Sequence, residues 1–273
     1  MSLYLADSTD LTSVASAIRT KGGTSAQLVF PNGFVSAVEA IPEAKNTWAD
    51  SIARCTLVVN RGTLPAGNLV FDFPNATLGV SNFLLNAIAP NDNTEITINA
   101  NRIVGSTTSA SISSDIMALC ASCQRITKIT LNANQPIYAG STFMTQSSVQ
   151  RLLGTPITCT AFGGQTTSRR FANTNLVEFY LVPNKVTTGG VGIETGVLED
   201  ASLVSVANAI ADGVTGQTLT ISNATTKAKC DTIMGTVSQV TEDDVTYNFF
   251  TQSEDGTVSL ASFITNTKGW TLA

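Results

Sequence analysis

Histidine is absent from this chain of 273 residues, and its absence restricts the chemistry that the sequence can support. Without histidine there is no Ser-His-Asp triad, no Cys-His dyad and no ready general base near neutral pH. Paired carboxylates could still hydrolyse a glycan. The candidate acids fall in three short runs: Glu199-Asp200, Glu242-Asp243-Asp244 and Glu254-Asp255. Each run adjoins a predicted cap or turn, where acids make local hydrogen bonds. We therefore predict no catalytic residue and no enzymatic activity.

Metal and cofactor chemistry has equally little support. Cys120 and Cys123 have the spacing of a zinc or redox site, but zinc would need two further ligands. The other cysteines are scattered: Cys55, Cys159 and Cys230. We interpret all five as small buried hydrophobic residues. The acids at 242–244 could coordinate Ca²⁺, but they lack the spacing of an EF-hand, and a solvated turn is the preferred interpretation. No glycine-rich phosphate loop follows a predicted strand, so we predict no metal and no cofactor.

The overall charge disfavours nucleic acid as a partner. The net charge is −5, and Arg169-Arg170 is the one adjacent basic pair, whereas a nucleic-acid binder needs a positive footprint. No apolar run approaches the length of a membrane span. The first residues lack the basic start and apolar stretch of a signal peptide, so we expect synthesis in the cytoplasm without a Sec signal. Charged residues make up only 13%, well below the usual share of about a quarter, and such a weakly charged surface is typical of strand-rich extracellular, virion and repeat proteins.

A repeated apolar frame marks the middle of the chain. Ile126, Ile129 and Leu131 follow the spacing L-x-x-L-x-L. Val149 and Leu152 repeat this frame less completely, and a third copy consists of Leu176, Phe179 and Leu181. The steps from one copy to the next have the length of a leucine-rich repeat, roughly 20–29 residues. In such a solenoid each chain turn covers the apolar edge of its neighbour. The alternative is an irregular β domain in which the spacing arises by chance.

The region before these frames is predicted to be rich in strands. Strand-like composition is found at residues 55–59, 68–73 and 94–100. These segments are separated by Gly, Pro and Asn residues, which are typical of turns. Residues 83–88 (FLLNAI) are consistent with a short helix. We assign residues 46–195 to one β-rich region that resembles leucine-rich repeats.

Residues 1–45 are predicted to form a small helical module. Asp10 is a predicted N-cap, and the helix after it carries an apolar stripe: Leu11, Val14, Ala15 and Ile18. Gly22-Gly23 ends this helix. A short strand (26–30), a turn (31–33) and a second helix (34–41) follow. Such a unit has a marginal core, so we expect it to dock on the rest of the chain or on another subunit.

Residues 196–273 are predicted to form an α/β cap. Asp200 is a predicted N-cap of a helix whose apolar stripe resembles that of the first helix: Leu203, Val206, Ala207 and Ile210. A weaker copy near the end places Leu260, Phe263 and Ile264 before Gly269 and a strand-like tail. Between them, residues 227–234 are interpreted as helical, and residues 245–250 and 257–260 as the strands of a hairpin joined through Glu254-Asp255-Gly256. Such caps would cover the apolar ends of a solenoid.

The segment DLTSVASAIRTKGGTSAQLVFPNGFVSAVEAI resembles the N-terminal module of structural proteins of phages and prophages that infect Gram-positive bacteria. The middle is similar to the degenerate leucine-rich repeats of bacterial and phage surface proteins. The segments FANTNLVEFYLVPNKV and KGWTLA are similar to the closing repeat and cap of such phage proteins. The resemblance covers about two thirds of the chain and leaves out residues 46–110. It implies a virion component of the tail, baseplate or fibre, and it carries over no catalytic or ligand residue.

The sequence thus predicts a strand-rich α+β virion protein, assembled in the bacterial host cytoplasm as a homo-oligomer. The N-terminal module would bind other virion proteins, and the repeats would attach to a glycan or protein of the host surface. The alternatives are a capsid decoration, head-fibre or neck protein without adhesion, and a tail enzyme that degrades cell wall. Neither tryptophan is assigned to binding, because Trp270 is expected to pack under the last strand and Trp48 could anchor an interface.

Overall fold

The computed structural model describes residues 8–22, 54–56, 62–63, 67–80, 87–88, 94–105, 111–112, 126–140, 143, 148–162, 170–189 and 192–273. The chain divides into two compact units, Met1–Trp48 and Ala49–Ala273. The predicted boundary at residue 195 falls inside the second unit. The described part is a strand-rich α+β fold with a curled parallel sheet, which confirms the predicted class.

In the first unit, the structure describes helix α1 (Ser8–Gly22). It begins two residues before the predicted cap, so Asp10 lies inside its first turn and is not the N-cap. The helix ends at Gly22 as predicted. Ala15 is buried and Ile18 half-buried, whereas Val14 is 49% exposed. The predicted strand (26–30) and second helix (34–41) lie outside the described residues.

In the described part of the second unit, twelve strands come before the first helix. In chain order they are β1 (Arg54–Thr56), β2 (Gly62–Thr63), β3 (Gly67–Gly79), β4 (Ala87–Ile88), β5 (Thr94–Val104), β6 (Ser111–Ile112), β7 (Ile126–Ala133), β8 (Ile137–Ala139), β9 (Arg151–Thr158), β10 (Ala172–Asn173), β11 (Glu178–Leu181) and β12 (Glu194–Thr195). Strands β1, β3, β5, β7, β9 and β11 lie side by side in chain order, each parallel to the next. Strand β8 continues this layer beyond β7 and lies between β9 and β6.

One row of apolar side chains runs through five of these strands. The residues in register are Leu69, Ile96, Ile129, Leu152 and Phe179. All but Leu69 are almost completely buried. Because alternate residues of a strand point to opposite faces, this row forms the inner face of the sheet. Its last three members occupy the same position in the three predicted apolar frames, so the step between paired strands equals the step between frames.

The prediction of a helix at residues 83–88 is wrong for its last two residues, and residues 83–86 lie outside the described ranges. Ala87 and Ile88 form β4, which pairs in parallel with Gly62 and Thr63 of β2. Apolar residues in a short run fit a buried strand as well as a helix, and here the pairing partner decides.

Phe171 anchors a cluster of aromatic rings inside the unit. Its φ of 56° is left-handed, which is unusual for a bulky residue. Its N–H donates to the carbonyl of Phe143 at 2.8 Å, and its carbonyl accepts from Glu194 at 3.3 Å. The ring stacks on Phe179 with centroids 4.6 Å apart and is fully buried. We infer that burial and stacking of the ring offset the strained backbone.

The C-terminal elements complete the second unit. They are α2 (Asp200–Ala209), β13 (Thr218–Leu219), α3 (Ala224–Thr232), β14 (Met234–Glu242), β15 (Val245–Gln252), β16 (Val258–Ser259), α4 (Leu260–Ser262), a π-helix (Phe263–Thr267) and β17 (Thr271–Leu272). The predicted apolar stripe of α2 is confirmed, because its four members have no exposed surface. Asp200, however, is the first helical residue and not the cap. Helix α3 begins at Ala224, where the side chain of Asn223 caps it, and ends before Met234.

The predicted hairpin has a different partner. Strand β15 pairs antiparallel with β14 along its whole length, and β16 pairs with the other side of β14. Asp243 and Asp244 form the two-residue connection, both with positive φ, which a tight hairpin turn requires. Glu254-Asp255-Gly256 instead links β15 to β16.

A buried ion pair fastens the last residues of the chain. The ammonium of Lys268 has no exposed surface and contacts the carboxylate of Asp212. It lies 5.3 Å from the ring centre of Phe263 and 5.7 Å from that of Tyr247. Burial lowers the pKa of Lys268, while the Asp212 carboxylate opposes this shift. Together with the bond from Trp270 Nε1 to the carbonyl of Ala211, 3.1 Å, this contact ties the tail to the end of α2.

Helix α2 occupies the place of a further strand beside β11. The N–H of Phe179 donates to Ser202 Oγ at 3.1 Å, and the N–H of Leu181 donates to Ser205 Oγ at 2.8 Å. One turn further along, the side chain of Asn208 donates to the carbonyl of Phe250 at 2.9 Å and accepts from its N–H at 2.8 Å. One face of the helix therefore bonds with the backbones of both β11 and β15.

We predict that Ser202→Ala lowers the free energy of unfolding by about 1–3 kcal/mol, because the buried N–H of Phe179 would lose its acceptor. Urea unfolding followed by circular dichroism measures this. The matched control is Ala201→Ser at an exposed position of the same helix, which should change stability by less than about 0.5 kcal/mol. Equal effects of the two substitutions would contradict the proposed role of the hydroxyl.

Candidate ligand-binding groove

The largest of the described cavities is a groove of about 600 Å³. Three prolines form its floor: Pro136 before β8, Pro156 in β9 and Pro183 after β11. Because Ile137 and Ile157 are buried and in register, their neighbours point outward. Tyr138 and Thr158 are therefore adjacent on the same outer face, and the side chain of Tyr138 is exposed.

The wall of the groove is the tip of the β14–β15 hairpin. Glu242 and Asp243 line it there, and Lys185 lines it from the floor. The carboxylate of Glu242 accepts a hydrogen bond from the hydroxyl of Tyr247 at 2.9 Å. Asp243 has φ 47°, a conformation that Asp tolerates better than most residues. The groove thus combines an apolar floor with amide, carboxylate and ammonium groups near its rim.

A second cavity of about 350 Å³ shares Pro156 and Pro183 with the groove. Tyr180 and Phe249, both half-buried, line it together with residues of α2. The hydroxyl of Tyr180 donates to Glu178 at 2.8 Å. Burial, followed by this carboxylate, raises the pKa of Tyr180. The two cavities therefore adjoin at these prolines, and their linings together include three aromatic residues, Tyr138, Tyr180 and Phe249.

Polar ladders cross the outer face of the sheet. Asn99 donates to Asp72 at 3.0 Å, and Asn132 donates to Asn99 at 2.9 Å. In a neighbouring row, Lys128 pairs with Glu95 at 2.8 Å. Exposed pairs of this kind stabilise by no more than about 1 kcal/mol each, so we interpret the ladders as a solvated surface in register with the core.

Arg151 holds two acids in one cluster. Its guanidinium contacts Glu178 and bonds Glu199 at 2.5 Å. Beyond this cluster, Asp200 pairs with Lys229 at 2.9 Å. The predicted acidic pair Glu199-Asp200 is thus divided between two cations. Glu199 is the N-cap residue of α2, and its side chain makes no capping hydrogen bond. Glu178 was not predicted from the sequence as a functional residue, because a single acid between the apolar residues of a frame does not indicate an ion-pair cluster.

The predicted acids otherwise lie in two cavities and one turn. Asp200 and Glu254 line one cavity of about 450 Å³, Asp255 lies in the turn before β16, and Asp243 lies at the groove. Among the described residues, no three Cys, Asp or Glu side chains are close enough to hold a metal ion. No helix in the described ranges is long and apolar enough to span a membrane.

The described cysteine side chains are buried. Burial raises the pKa of the Cys159 thiol, and that of the Cys230 thiol, to about 11. Trp270 is buried, as the packing interpretation predicts. Cys55 lies in β1, while Cys120, Cys123 and Trp48 lie outside the described residues.

Comparison with family models, with curated proteins and with solved structures finds no match to this chain. Fold and surface therefore define its class: a strand-rich α+β protein whose parallel sheet and terminal hairpin enclose a groove.

We predict that ionisation of Tyr247 weakens the hairpin. Burial, followed by the hydrogen bond to Glu242, raises the pKa of Tyr247 to about 12, above the value of about 10 in an unfolded chain. This contribution to stability is present in full below about pH 10 and is lost as the pH rises through about 12. Phenolate absorbance measures the ionisation, and urea unfolding at each pH measures the stability.

Tyr247→Phe is the control for this titration. It should remove one late-ionising phenol and reduce the loss of stability between pH 10 and 12. Tyr180 also titrates late, so the difference between wild type and variant is the quantity to compare. An unchanged titration curve would contradict the assignment.

Proposed function

We propose that this chain is a bacteriophage virion structural protein, associated with the tail, baseplate or fibre, that attaches to the host surface. In this proposal the parallel stack is a short solenoid resembling leucine-rich repeats. The region from α2 onward is its α/β cap. The sequence resemblance supplies the virion context.

One observation carries the proposal: successive strands stack in parallel at offsets that equal the spacing of the apolar frames, as Ile129, Leu152 and Phe179 do. A stack of this kind presents a broad, regular outer surface. Surface recognition needs such a scaffold, because side chains held on paired strands lose little entropy on binding.

The N-terminal module provides the second part of the proposal. We assign residues 1–45 to attachment within the particle, through other virion proteins or through further copies of this chain. Closed symmetry is expected of the assembly. Nucleic acid and membrane are not among the proposed partners.

Two measurements test this proposal. Electron microscopy of purified particles carrying an epitope-tagged chain should place the tag on the virion, and absence of the chain from the particle would overturn the proposal. Pull-down of the full chain on host cells then separates attachment from its alternative. A chain that is present in the particle but does not bind cells would be a capsid decoration, head-fibre or neck component.

Enzymatic wall degradation is the rival that the cavity lined by Asp200 and Glu254 makes testable. We predict no clearing in a zymogram of host cell wall, because Asp200 is already paired with Lys229. Clearing by the wild type that Asp200→Asn or Glu254→Gln abolishes would replace attachment with glycan hydrolysis. Thr232→Val in the same lining is the control for altered packing.

A further inference from the structure

We propose that the groove between the prolines of the floor and the tip of the β14–β15 hairpin binds a neutral oligosaccharide. This inference deepens the proposed attachment function, because it names the site and the chemical class of the host ligand. The residues assigned to recognition are Tyr138 on the floor and Asp243 on the wall. The adjoining cavity lined by Tyr180 and Phe249 would take a further sugar unit.

The mixture of surfaces in the groove matches the two surfaces of a sugar. A pyranose ring has a face of polarised C–H groups, and the electron-rich face of an aromatic ring attracts such groups. Tyr138 is 39% exposed, so its ring is available to a ligand. The hydroxyls of a sugar both donate and accept, as do the amides of Asn134 and Gln135 at the rim.

The charges at the rim favour a neutral ligand over an anionic one. Glu242 and Asp243 both line the groove, against the single cation Lys185. The whole chain also carries a net charge of −5. A phosphate-rich or uronic-acid polymer would therefore approach against the local field. A carboxylate such as that of Asp243 can instead accept hydrogen bonds from two neighbouring hydroxyls.

The pairing of the floor strands disfavours an extended peptide. Peptides commonly bind by adding a strand to a free sheet edge. Strand β8 pairs with β6 and β9, and β9 pairs with β8 and β11. The groove thus exposes the face of paired strands, where side chains and not backbone groups meet the ligand.

The groove is also the right size and is preorganised. Its volume of about 600 Å³ lies within the range of roughly 300–1,000 Å³ typical of small-ligand sites. Prolines stiffen each layer of the floor, and the hairpin is held from behind by the two bonds between Asn208 and Phe250. A rigid site loses less entropy when it binds a flexible glycan.

The test begins with the full-length protein on a printed panel of neutral and anionic oligosaccharides. Calorimetry then measures the affinity for the best neutral binder. We expect Tyr138→Thr, which keeps a strand-forming residue, to weaken binding about tenfold. Asp243→Gly should also weaken it. The matched control is Asp244→Gly, because Asp244 shares the left-handed backbone of the turn (φ 61°) but does not line the groove.

Unfolding midpoints near that of the wild type would show that the variants are folded. The inference is overturned if no neutral oligosaccharide binds at about 1 mM, if anionic glycans bind more tightly, or if Tyr138→Thr binds as well as the wild type. Binding to whole host cells separates this inference from the proposed function. Cells that retain both the wild type and Tyr138→Thr would overturn the groove and leave attachment standing, whereas failure of the wild type to bind cells would overturn attachment.

Discussion

Hydrogen-bonding groups at a sheet edge must be satisfied, and in this fold a helix satisfies them. A buried backbone N–H without a partner costs as much as a lost hydrogen bond. Ser202 and Ser205 of α2 accept the N–H groups of β11. Asn208, on the same face of the helix, does the same for β15 and also donates to its carbonyl. The helix thus ends the stack without leaving an edge open to aggregation, and it joins the sheet to the hairpin.

The groove results from this connection of the sheet to the hairpin through α2. Its floor belongs to the stack and its wall to the hairpin, so the helix that bonds to both fixes the distance between them. The buried pair of Lys268 and Asp212 holds the hairpin from the far side, because Asp212 also accepts from the N–H of Asn248 at 2.7 Å. Removal of one partner of such a buried pair typically costs about 3–5 kcal/mol. The geometry of the groove therefore depends on contacts that lie outside it.

Local patterns in the sequence located the inner apolar row of the parallel sheet, but they placed the C-terminal elements less well. The apolar frames identified the inner row, since positions such as Ile129 and Leu152 are both periodic and buried. The hairpin was assigned wrongly because residues 234–242 and 257–260 both alternate like strands, and only the turn at Asp243-Asp244 selects between them. The predicted cap at Asp200 failed because the helix begins at Asp200 itself, so the N-cap position falls one residue earlier, on Glu199. The pairing partner of a strand and the first residue of a helix depend on contacts with distant residues, so the local sequence alone does not determine them.

The groove could not be predicted, because it depends on a change of register. Leu131 pairs with Gly154, and beyond this point Ile137 pairs with Ile157. The chain is therefore longer between Leu131 and Ile137 than between the residues that they face. Gly154 of β9 has a φ of +97°, and a Cβ at this position would lie 2.2 Å from the carbonyl oxygen of Leu131.

This shift brings Pro136 beside Pro156 and turns Tyr138 to the outer face. A strict continuation of the apolar frame would have kept the same offset along the whole strand pair, and the floor of the groove would not have formed at this place. Irregularities in a sheet often re-aim side chains at functional sites. The place where the repeat fails is therefore also the place where recognition by the protein is expected.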